Sequence, residues 1–215
     1  MKRLQLGAAT LATMVVSATA QADMGIGLKV GTLGGGLEVT APLMESINGR
    51  VGFNAFSYST TGTESDIDYD VDLTLQTASA ILDWYPFKGT FRLSAGYVFN
   101  NNSIEMTGKP SAGGQYDLSG TLYTLDSLTG EVEFTSGAYV GMGWGNAGRG
   151  KGFGMNLEIG AFYHGAPELT LTATGSGTAL ADFEKHRAQE EADAQEDLAD
   201  YKWYPVVSLG MSYTF

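Results

Sequence analysis

From residue 24 onward, apolar and polar positions alternate in successive runs, the mark of strands that show one face to an apolar medium and the other to a polar one. Met24 to Thr32 sets Ile26, Leu28 and Val30 against Gly25, Gly27, Lys29 and Gly31, and Gly34-Gly35-Gly36 allows a tight reversal. The next run, to about Pro42, places Gly35, Leu37, Val39 and Ala41 opposite Gly36, Glu38 and Thr40. Arg50 to Thr60 carries Val51, Phe53 and Ala55 opposite Arg50, Gly52 and Asn54; Asp66 to Tyr85 begins with Asp66, Asp68, Asp70 and Asp72 opposite Ile67, Tyr69, Val71 and Leu73. Thr90 to about Met106, Glu131 to Trp144 and Phe153 to His164 repeat the pattern, with Phe91, Leu93, Tyr97, Phe99, Val140, Met142, Trp144, Met155, Leu157 and Ile159 on the apolar side. The last run ends the chain, with Trp203, Pro205, Val207, Leu209, Met211, Tyr213 and Phe215 on one face.

These runs predict eight strands. Glu45 to Gly49, Pro86 to Gly89 and Gly145 to Gly152 read as short turns. Thr60 to Ser65, Gly108 to about Gly130 and Gly165 to Tyr201 read as longer loops; Gln115 to Leu125 suits a hairpin, and Asp182 to Asp200, free of Gly and Pro, suits a helix. Short turns and long loops alternate when counted back from Phe215, as they do in an eight-stranded antiparallel transmembrane β-barrel with a helical segment in its last extracellular loop. Trp84, Trp144, Trp203, Tyr85 and Phe87 then fall near the short turns, as an aromatic girdle.

Composition agrees with a barrel. Mean hydropathy is −0.05, as expected when an apolar outer face is averaged with a polar inner one. There is no Cys for a disulfide framework, and Gly supplies 30 of 215 residues. A formal charge of −12 argues against a nucleic-acid partner. Residues 1–22 have the form of a secretory signal peptide: Met1-Lys2-Arg3, an apolar run from Leu4 to Val16, and Ala20-Gln21-Ala22 as a cleavage site. The domain division expected is a leader over 1–22 and one barrel over 23–215.

The final strand, with Tyr213 two residues before a terminal Phe215, resembles the last strand of Gram-negative outer-membrane β-barrels. The whole mature chain is similar in architecture to the small barrels of the outer-membrane-protein A, X and W types. That resemblance implies Tyr213 and Phe215 as an assembly signal read by the barrel assembly machinery. It also implies a monomer in the cell outer membrane, in contact with lipid and lipopolysaccharide.

A Lys or Arg facing lipid at mid-membrane costs about 2–4 kcal/mol, so the charges within the strands belong inside. Lys29, Glu38, Arg50, Asp72, Arg92 and Glu158 are therefore the expected lumen-polar residues, forming either a salt-bridged plug or the lining of a polar cavity or narrow charged path. The aspartate ladder suggests a hard-cation site. Alternate strand residues stand roughly 7 Å apart, however, too far to wrap one ion, and a solvated strand end explains the ladder better. With His164 and His186 the only histidines, His164 at the loop rim is the candidate for a lipid hydrolase, but no nucleophile motif accompanies it. Gly141-Met142-Gly143-Trp144-Gly145 alternates as a strand rather than a phosphate loop. No catalytic, metal or cofactor residues are expected. The reading is a non-enzymatic barrel of structural or surface-interaction type, with a narrow channel or binding barrel as the alternative and a lipid-modifying enzyme behind both. The acidic helix is expected to be solvated, with packing over the mouth through Phe183, Leu198 and Tyr201 or display of a partner-binding surface as the alternatives.

Overall fold

The computed structural model describes residues 23–64, 67–110 and 115–215. The leader and Asp66 lie outside the described residues. Strands follow in the order β1 (Gly25–Gly31), β2 (Gly34–Met44), β3 (Ile47–Glu64), β4 (Ile67–Trp84), β5 (Phe91–Asn100), β6 (Ser103–Pro110), β7 (Gln115–Leu118), β8 (Thr121–Thr124), β9 (Ser127–Glu133), β10 (Gly137–Trp144), β11 (Gly152–Tyr163) and β12 (Glu168–Thr174). A 3-10 turn (Ser176–Ala179), helix α1 (Phe183–Leu198) and strand β13 (Trp203–Thr214) complete the chain.

Eight of these strands close into a ring in the order β4-β3-β2-β1-β13-β11-β10-β5, sealed by the β4–β5 pairing, and every pairing in it is antiparallel. Closure satisfies the main chain of each strand on both sides, which is what a hydrocarbon surround demands. The reversal at Thr32 and Leu33 is tight, with Gly34 at φ +94°, so the first two runs are separate strands as predicted. Strands also approach closely in places. A Cβ on Gly137 would lie 1.7 Å from the Tyr163 carbonyl oxygen where β10 meets β11.

The predicted apolar faces form the outer wall, where Leu28, Leu37, Phe53, Leu82, Leu93, Val140, Ile159 and Leu209 are all exposed. Two aromatic bands border it. Trp84, Phe91, Trp144, Phe153, Tyr213 and Phe215 ring the end with the short turns, and Tyr97, Phe99, Tyr163 and Trp203 ring the end with the loops. Trp203 thus belongs to the opposite band from the one expected, because it opens β13 beside Tyr163 rather than closing it. Tyr85 is also displaced from the predicted girdle: it is buried at 1% exposure with the Arg149 guanidinium 4.2 Å above its ring.

Beyond the loop-end band the ring opens. Asn101 and Asn102 interrupt the predicted fifth strand, and polar side chains take over broken ladder positions: Gln76 N–H donates to Asn102 Oδ1 at 2.8 Å, and Asn100 N–H to Ser136 Oγ at 2.9 Å. A second break at residues 134–136 splits the predicted sixth strand into β9 and β10. As a result β4 changes partner: Thr77–Trp84 pair with β5, whereas Ile67–Thr74 pair with β6. A protruding sheet β3-β4-β6-β9-β12 results. The predicted loop at Thr60 to Ser65 is therefore strand through Glu64, and β12 occupies part of the predicted last loop.

One face of this sheet is covered by the predicted β7–β8 hairpin and α1, through Tyr116, Leu118, Tyr123, Leu125 and Phe183 packed with Ile67, Leu128 and Ala173. Phe183 stands edge-on to Tyr123 at 5.1 Å, so the helix docks on the hairpin, and Tyr201 is left exposed rather than sealing the mouth. The same helix closes the outer edge of β12. Arg187 Nη1 donates to the Leu171 carbonyl, Glu191 accepts from Leu171 N–H and Gln195 accepts from Leu169 N–H, each at 2.8 Å.

Gly137→Ala should lower the fraction of protein that migrates as the folded, heat-modifiable form on unboiled gels, with a cost of about 1–3 kcal/mol for the forced shift. Gly62→Ala, where a Cβ meets nothing within 4 Å, should fold like the parent. Equal folding of both would show that the β10–β11 approach is not tight.

Candidate functional site

Inside the ring, alternation delivers one polar side chain every second residue, and the strand tilt brings those of distant strands to one level. Arg50 is the centre of that level. From β3 it forks onto Asp83 of β4, with Nε–Oδ2 at 2.9 Å and Nη2–Oδ1 at 3.1 Å. The same guanidinium reaches Glu38 of β2 at 2.9 Å and both carboxylate oxygens of Glu158 on β11, with Nη2–Oε1 at 2.9 Å. Lys29 of β1 pairs with Glu38 at 2.9 Å, and Arg92 of β5 bridges Glu158 at 3.3 Å and Asp83 at 3.5 Å. Ser94 donates to Asp83 at 2.6 Å, and the Tyr139 hydroxyl donates to Glu158. Three cations thus face three carboxylates, so the layer carries no net charge.

Five of the six residues expected in the lumen are brought together: Lys29, Glu38, Arg50, Arg92 and Glu158. Asp72 is not. β4 alternates without interruption from Ile67 to Trp84, and with Asp83 inside, every even-numbered residue faces outward. Asp72 accordingly lies exposed on the protruding sheet, accepting a hydrogen bond from Ser59. The missing member is Asp83. The sequence carried its signal, because Leu82 and Trp84 flank it on the apolar parity of the same run.

Toward the loop end the charged layer gives way to an apolar one of Ile81, Val98, Tyr139, Phe162 and Val206, into which Leu33 turns from the β1–β2 reversal. Toward the turn end, Asn48 donates to the Ala147 carbonyl at 3.1 Å and Gly148 N–H to Thr214 Oγ1 at 3.1 Å, folding the 145–151 turn inward. The two cavities beside the charged layer hold about 20 Å³, against Lys29, Asn54, Ser79 and Glu158, and about 10 Å³, against Glu38, Arg92 and Asn156. Each has room for about one water. A larger hollow of about 700 Å³ is an open dish at the turn end, lined by Asp23, Glu45, Lys88 and Arg149.

His164 stands just past β11 between the rings of Phe134 and Phe162, at 5.4 and 5.6 Å. Its Nδ1 has no hydrogen-bond partner, and burial pushes its pKa below the usual imidazole range. The Thr135 hydroxyl beside it donates to the His164 main-chain carbonyl rather than to the ring. The aspartates sit in a different place: Asp70 pairs with Lys109 at 2.7 Å, while Asp72, Glu105 and Glu131 are register partners across three strands of the protruding sheet.

No family model matches the sequence, and no curated protein matches it. Among solved structures, the barrel is similar to Acinetobacter baumannii CarO2, with a TM-score of 0.59 and 21% identity over 90% of this chain and 99% of that one. It is similar to Acinetobacter baumannii CarO at 0.58 and 20%, over 90% and 98%. The fold is that of the small outer-membrane β-barrels.

Arg50→Ala should cost about 3–5 kcal/mol, because three buried carboxylates lose a shared partner. The check is the urea midpoint for unfolding from lipid vesicles, with Asp72→Ala as the unaffected control; equal midpoints would deny the layer a structural role. For His164 the lowered folded pKa means the neutral ring is preferred in the fold. Stability is then full above the ordinary imidazole pKa, falls as pH drops through it, and levels off below the lowered folded value. An imidazole NMR titration at or above the free value would contradict this burial.

Proposed function

We propose that the chain is a sealed outer-membrane barrel of surface-interaction type: the ring is an anchor, and the protruding lobe is the part that acts. The lumen carries this reading. Its charges are paired three against three, an apolar layer lies over them, and the cavities beside them have room for single waters. A diffusion path needs a continuous wet route, which an eight-stranded ring filled by side chains does not leave. The outer wall supports a membrane location, since an apolar surface bordered by two aromatic bands matches the profile of a barrel in lipid.

On this reading residues 1–22 are a removed leader, Tyr213 and Phe215 address the chain to the barrel assembly machinery, and the monomer meets lipid and lipopolysaccharide along its wall. The loop end faces outward. His164, held between two phenylalanine rings with no orienting partner, serves as a packing residue of the rim rather than as a catalytic base.

Protein purified from outer-membrane fractions should show heat-dependent gel mobility and stay electrically silent in planar bilayers. Steady ohmic conductance from the parent chain, altered by Arg92→Ala, would replace the sealed barrel with a channel; absence from the outer-membrane fraction would refute the location.

A further inference from the structure

The protruding sheet has two edges, and they are treated differently. The β12 edge is closed by Arg187, Glu191 and Gln195 of α1, which bond the outward main-chain groups of Leu169 and Leu171. The β3 edge is bare. β2 pairs with β3 only through Ala55, and among the described residues no strand pairs with Phe56–Gly62 on the side away from β4. Elsewhere in the ring exposure alternates, but from Ala55 to Gly62 every residue is exposed.

An unprotected edge usually carries a Lys, a Pro, a bulge or a cover, to stop another strand from adding to it. Phe56-Ser57-Tyr58-Ser59-Thr60-Thr61-Gly62 has none of these, and its register with β4 runs unbroken. The segment offers roughly 20 Å of free main-chain donors and acceptors. We propose that this edge binds an extended peptide segment of a partner protein by strand addition, the partner alternating cationic and apolar residues. The inference rests on the reading of the lobe as the acting part, and names its surface and the chemistry of its partner.

The two faces at the edge set that chemistry. Phe56 and Tyr58 lie with Leu75 and Leu73 on one face, where apolar side chains of an added strand would pack. On the other face Ser59 and Thr61 lie beside Asp72 and Asp70, and the row Asp72, Glu105, Glu131 continues across the sheet. Carboxylates directly opposite one another repel. An added strand would run about 5 Å from β3 and about 10 Å from β4, a gap that a lysine or arginine side chain and an aspartate span together. Cations arriving there relieve the repulsion, whereas an acidic partner adds to it. The polar position next to the edge is thus electrostatically selective, and main-chain pairing supplies the rest.

The test uses the full barrel in lipid nanodiscs and three labelled peptides. One alternates Lys and Val over eight residues, one alternates Glu and Val, and one keeps the lysine count but carries two prolines. The first should bind by fluorescence anisotropy and slow hydrogen exchange at Phe56–Gly62; the other two should bind at least tenfold more weakly. Successive residues point their N–H groups to opposite sides of a strand, so of Ser57→Pro and Tyr58→Pro one removes a donor from the open edge while leaving the β4 ladder intact. That variant should fold and lose binding, and Asp70→Lys with Asp72→Lys should lose it without touching the main chain. Equal binding of the proline peptide would reduce the effect to charge attraction and overturn the proposal, as would binding without protection of Phe56–Gly62. Protection without peptide, together with a dimer in analytical ultracentrifugation, would assign the edge to a second copy and overturn it as well. None of these outcomes bears on the silence of the lumen, so the failure of this proposal is distinguishable from failure of the sealed-barrel reading.

Discussion

Every peptide group that meets hydrocarbon must find its partner within the protein, and that demand shapes the rest of the molecule. Between the two aromatic bands it forces a closed ring, with side chains sorted by parity into apolar outside and polar inside. Past the loop-end band water can satisfy the main chain, and the demand lapses. There β4 leaves one neighbour for another, the asparagine run breaks a strand, and a sheet with edges becomes permissible.

The same sorting accounts for the lumen. Charges excluded from the wall must accumulate within a ring too narrow to hydrate them, so they are tolerated only as a neutral, mutually bonded set. Arg50 can serve three carboxylates because its planar fork offers donors in several directions, which a lysine ammonium on a flexible stem cannot reproduce at fixed geometry. The apolar layer above, with Leu33 turned inward, keeps that set away from bulk water.

Much of this was legible from alternation alone. The number of strands in the ring, the lumen places of Lys29, Glu38, Arg50, Arg92 and Glu158, the β7–β8 hairpin and the helix all follow from local periodicity. What escaped depended on continuity or on distant partners. Asp72 was assigned to the wrong face because the parity of its run was read from its acidic start rather than from Leu82 and Trp84, and the same slip hid Asp83. β12 was missed because its pairing with β9 is set by breaks elsewhere in the chain. Trp203 was placed at the wrong end because aromatic residues mark both boundaries and carry no sign of which.

Helix α1 stands in for a sixth strand of the protruding sheet with only three side chains, four residues apart on one stripe. With Phe183, and with His186 held at 2.8 Å from the Tyr123 hydroxyl, these fix its place, and the helix residues turned away from the sheet and hairpin answer to no geometric requirement beyond staying helical. The loop can therefore alter its outward chemistry, in charge, size or recognition by other molecules, while the lobe beneath keeps its shape. A rigid frame and a freely rewritable cover are combined in one short segment.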